Sequence, residues 1–65
     1  MTNRERERER VLQAIRDKGG SATIADIKAV INRSKILMTS QDIERHLVAM
    51  ANDGLVTEDG KNWRA

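Results

Sequence analysis

The stretch "IERHLVAMANDGLV", residues 43–56, decides how the rest of this 65-residue chain is read. Ile43, Leu47, Met50 and Ala51 recur at helical spacing, so one face of this stretch is apolar and the other polar. Asp53-Gly54 stops the pattern with a residue suited to a left-handed helix end. Upstream, Thr39-Ser40-Gln41-Asp42 carries a hydroxyl cap and an acid in the first turn. A helix over about 40–53 follows. Downstream, Leu55-Val56-Thr57-Glu58 has β character, Asp59-Gly60 reads as a two-residue hairpin turn, and Lys61-Asn62-Trp63-Arg64 returns as the partner strand.

Toward the N-terminus the same punctuation repeats. Val11, Leu12 and Ile15 give a stripe that ends at Gly19-Gly20, and Thr2 with Glu5 resembles a capping box, which sets a first helix at roughly 3–18. Ser21-Ala22 is a short extended link. Thr23 and Asp26 cap a second helix over about 24–32, whose face is Ile24, Ile27, Val30 and Ile31. Asn32-Arg33-Ser34-Lys35 breaks the period, and Ile36-Leu37-Met38 is expected to pass over the core and plug it. The order is helix, short strand, helix, helix, hairpin, in a single domain over 1–65.

The segment "RERERER", residues 4–10, holds four arginines and three glutamates. On a helix this alternation sets opposite charges at i,i+3 and like charges at i,i+4, so the small pair energies cancel. It reads as a solvated, fraying helix start rather than a nucleic-acid arm, and without an apolar seam it forms no coiled coil. A start methionine followed at once by a cap suggests a natural N-terminus.

The chain has no cysteine, no proline, one Trp63 and no Phe or Tyr, so its core must be aliphatic and unstapled. One histidine gives no metal-site spacing, no serine has a credible base, and the glycines serve caps and turns. No enzyme, cofactor or metal site is expected. The formal charge is +2, split unevenly: residues 1–39 carry nine Lys/Arg against five Asp/Glu, and residues 40–65 three against five. Lacking a long apolar run or signal peptide, the chain reads as soluble, cytoplasmic or nucleoid-associated, with no membrane partner.

The order α-β-α-α-β-β, carried above all by residues 43–56 and the short wing "TEDGKNWRA", resembles the winged helix-turn-helix family from about Val11 to Arg64. The resemblance implies a mainly α fold with a small β-hairpin. It further implies a DNA-binding domain, in a transcriptional regulator or a replication or mobile-element accessory module. Helix 40–53 would enter the major groove and wing 55–64 would rest on the backbone of double-stranded DNA. Carried over residue by residue, the outward positions of that helix are Ser40, Gln41, Glu44, Arg45 and either His46 or Val48. Gln41 suits adenine, Arg45 suits guanine, and the amides of Ser40 and Gln41 suit a phosphate. Arg33, Lys35, Lys61 and Arg64 are the expected backbone contacts. Trp63 is expected in the core. The alternative is a winged-helix protein-interaction module that binds a protein partner instead of DNA, which the acidic second half of the chain favours.

Overall fold

The computed structural model of the chain describes residues 3–33 and 37–65. Three helices, α1 (Asn3–Asp17), α2 (Ile24–Arg33) and α3 (Ser40–Asn52), pack on one another and on a small antiparallel sheet. Its strands are β1 (Ser21–Ala22), β2 (Thr57–Asp59) and β3 (Asn62–Arg64), in spatial order β1-β3-β2. The expected order α-β-α-α-β-β is the observed one. Each helix boundary falls within one residue of its expected place.

The boundaries are local chemistry. At the start of α2 the Thr23 hydroxyl accepts from the Asp26 amide at 3.2 Å, and the Asp26 carboxylate accepts from the Thr23 amide at 3.3 Å. Thr39 and Asp42 repeat this reciprocal box at the start of α3, at 3.1 and 3.2 Å. At the end of α3 the Gly54 amide donates to Ala51 and the Leu55 amide to Met50, closing the last turn around a glycine at φ +78°. The end of α1 uses the same closure, with Gly19 and Gly20 donating to Arg16 and Ile15. The expected cap at Thr2 and the segment Ser34-Lys35-Ile36 lie outside the described residues.

Three details differ from expectation. Leu37 does not plug the core: it is 88% exposed, and only Met38 of the described part of that connection turns inward. Leu55 is not in a strand, because its amide is engaged in closing α3, and β2 starts two residues later. The hairpin turn is Gly60-Lys61 rather than Asp59-Gly60. Asp59 pairs with Asn62, and that register places Trp63 opposite Glu58 on one side and Ala22 on the other. With Trp63 the central strand's inward residue, β3 sews the hairpin to β1.

The core is Val11, Ala14, Ile15, Ala22, Ile27, Ile31, Met38, Ile43, Leu47, Met50, Val56 and Trp63, all buried in one cluster. No polar or charged residue is buried among the described residues, so packing alone must offset chain entropy. Every helix therefore has one face committed to this cluster. What α3 presents on its other face is free to serve something else.

Candidate nucleic-acid interface

The committed face of α3 is Ile43, Leu47 and Met50. Turned away from it are Gln41, Glu44, Arg45, Val48 and Asn52, all exposed, at steps of three and four residues that keep them on one side. With half-buried Ala49 they line a shallow hollow along the helix. Ser40 is exposed at the N-terminal end of the same helix. Of the outward positions expected, the structure brings together Ser40, Gln41, Glu44, Arg45 and Val48.

His46 departs from that set. It lies just outside Met50 at the edge of the buried stripe, and its side chain is only 12% exposed, turned against α1 with Nε2 3.6 Å from Glu7 Oε1. Its ring therefore faces the α1 side of α3, away from the hollow. The spacing carried the signal: position 46 is three after Ile43 and four before Met50, on the edge of the buried stripe.

The N-terminus of α3 is already occupied by its own chain. Asp42 accepts from the Thr39 amide and stands where the helix dipole is positive. The hydrogen bonds from the Thr39 backbone and then its side chain hold the Asp42 carboxyl below the usual carboxylate range, and the positive charges of Arg45 and His46 reinforce this. The amides of Ser40 and Gln41 stand outside the capping box, next to this carboxylate. A phosphate approaching them meets an attractive helix end and a repulsive side chain together.

The remaining expected contacts lie on other elements. Arg33 is exposed at the last turn of α2, and Lys61 is exposed at the tip of the hairpin. Arg64 is exposed on β3, with its guanidinium 3.6 Å from the Asp59 carboxylate across the hairpin. Lys35 lies outside the described residues. Trp63 is buried, with its ring committed to the core.

Two residues not expected in any role contact α3 from α1. Continued backward by one turn, the buried stripe of Val11, Ala14 and Ile15 reaches Glu7 and Arg8, which are half-buried. Glu7 meets His46, and an Arg8 guanidinium nitrogen lies 3.9 Å from Asp53 at the C-cap of α3. Arg8 Nε is buried with no hydrogen-bond partner among the described residues. The charge run is thus not uniformly solvated: Arg6 and Arg10 face water, while Glu7 and Arg8 seat on α3. A mixed-charge cleft of about 340 Å³ results between the two helices, lined by Arg4, Glu7, Arg8, Asp42, Arg45 and His46 with Ala49 at its floor.

Among the described residues no helix is long and apolar enough to cross a membrane, and no group of three His, Asp or Glu is placed to hold a metal ion. No family model, curated protein or solved structure matches this chain.

Proposed function

We propose that this chain is a winged-helix DNA-binding domain, acting in a transcriptional regulator or as an accessory module of a replication or mobile-element protein. The observation that carries the reading is the outward face of α3. Gln41, Arg45 and Asn52 stand on one side of a helix whose other side is wholly committed to the core. An amide and a guanidinium are the groups that make paired hydrogen bonds to adenine and guanine in the major groove. Arg33 at the end of α2 and Lys61 at the hairpin tip supply charge for the phosphate backbone.

A second reading, a protein-interaction module, has its own support. Arg8 and Arg64 each face a carboxylate of this chain, which lowers the charge available to a polyanion. Leu55, 54% exposed, also borders a groove with Leu12 and Met50 that Glu5 and Glu9 rim.

Anisotropy of a labelled random-sequence duplex separates the two. Three to five neutralised phosphates predict that raising salt from about 50 to about 200 mM weakens binding roughly 40- to 500-fold. Arg45→Ala with Lys61→Ala abolishes binding at the lower salt while the far-ultraviolet circular dichroism stays unchanged. Absence of binding at low salt would discard the DNA reading in favour of the interaction module. Unchanged binding by the double variant would discard this docking mode.

A further inference from the structure

Val48 is the one large apolar side chain on a face of α3 otherwise made of hydrogen-bonding and charged groups, and it is 48% exposed. Neither the core nor the helix asks for it there. The core is closed by Ile43, Leu47 and Met50, and a β-branched residue on an exposed helical site is a poorer choice than alanine, lysine or glutamate. Its position on the wheel is central: Glu44, Arg45 and Asn52 flank it at one turn's distance, and Gln41 lies two turns back.

A side chain with no donor or acceptor, pressed against a base edge, leaves that edge's polar groups unpaired, which is costly. Only one base edge in the major groove offers an apolar group, the C5-methyl of thymine. Val48 follows Arg45 by three residues, about 4.5 Å along the helix axis and on the same outward side, so the two side chains reach neighbouring parts of one groove. We infer that Val48 is a specificity-determining residue that packs on the methyl group of a thymine one base pair from the guanine read by Arg45. This rests on the DNA-binding reading above.

The test is selection from a randomised duplex pool by the full chain, run in parallel with the wild type and Val48→Ala. Alanine is the better helix former at this exposed site, and circular dichroism checks that the variant is folded. The wild type is expected to enrich a motif with thymine fixed beside a guanine. Val48→Ala keeps the guanine and loses the thymine. Replacing that thymine by uracil in the enriched duplex, which deletes only the methyl, weakens the wild type about fourfold, the worth of one buried methyl, and leaves Val48→Ala unaffected. A motif with the same thymine preference in both proteins, or no response to uracil, overturns the role of Val48 and leaves DNA binding standing. Binding with no enriched motif does the same. No retention of any duplex overturns the DNA-binding reading, and the inference with it.

Discussion

Asp42 shows how one side chain serves two ends. Its carboxylate caps α3 and, through the Thr39 hydrogen bonds, holds its proton less tightly than an ordinary aspartate. A carboxyl whose folded pKa is depressed adds stability that is fully present above the unfolded value, about pH 4, and is lost as pH falls toward and through the lower folded value. Denaturant midpoints at neutral pH and on the acid side of that value should therefore differ more for the wild type than for Asp42→Asn. The asparagine amide oxygen can still accept from Thr39 but does not titrate. Thr39→Ala removes the other half of the box and should cost about 1 kcal/mol, read from Trp63 fluorescence in urea. At this scale the sequence was informative wherever partners lie three or four residues apart, as in both capping boxes. It was silent on Glu7 with His46 and Arg8 with Asp53, because no local pattern ties residues so far apart in the chain.

For whole elements, the ends of the helices were legible and the pairing of the strands was not. Gly54 shows why the ends are readable. Its φ of +78° is a left-handed conformation that glycine adopts freely, and a Cβ built there would touch nothing within 4 Å. Gly54→Ala should thus cost only conformational strain, about 1 to 2 kcal/mol, without disturbing the packing of α3, as measured by urea unfolding. The hairpin is different. Asp59-Gly60 is a good turn by local preference, but the pairing of β3 with both β1 and β2 sets the register that makes Trp63 face inward, and the turn falls at Gly60-Lys61 instead. A register one residue off would send that ring to solvent. Between α1 and α3 the decisive contacts are apolar. Val11 is fully buried and Leu12 packs against the core, whereas the Arg8–Asp53 ion pair and the Glu7–His46 contact sit at the partly exposed end of the seam. Exposed pairs of this kind are worth at most about 1 kcal/mol, so Arg8→Ala should shift the urea midpoint only slightly.

Across the molecule, the division of α3 into a committed and an uncommitted face is what makes structure and candidate function separable. Substitutions at Gln41, Arg45 or Val48 should leave stability nearly unchanged while altering any nucleic-acid binding. Leu47, fully buried at the centre of the opposite face, should behave in reverse. Leu47→Ala is expected to cost about 2 to 5 kcal/mol. A domain of this length holds only roughly 3 to 10 kcal/mol in total, so the variant should lose a large share of its stability and unfold at a much lower temperature than the wild type. Loss of near-ultraviolet circular dichroism from Trp63 is the readout. The outward face was legible in the sequence because helical period alone separates 41, 45 and 48 from 43, 47 and 50. Spacing alone put His46 at the edge of the buried stripe, but the turn of its ring onto Glu7 needed the position of α1.

The place of β3 between β1 and β2 bears on how the chain is made. Ser21 and Ala22 pair with strand residues about forty positions later, Arg64 and Trp63, and the Ala65 amide donates back to Gly20. At translation rates of about 5 to 20 residues per second, β1 waits some two to eight seconds on the ribosome before its partner has been synthesised. During that interval the helices can form, but Val56 and Trp63, which close the core beneath them, arrive last. A nascent chain halted before residue 63 would leave open the side of the core that Trp63 closes, and so offer that apolar surface to chaperones and proteases until the last strand is made.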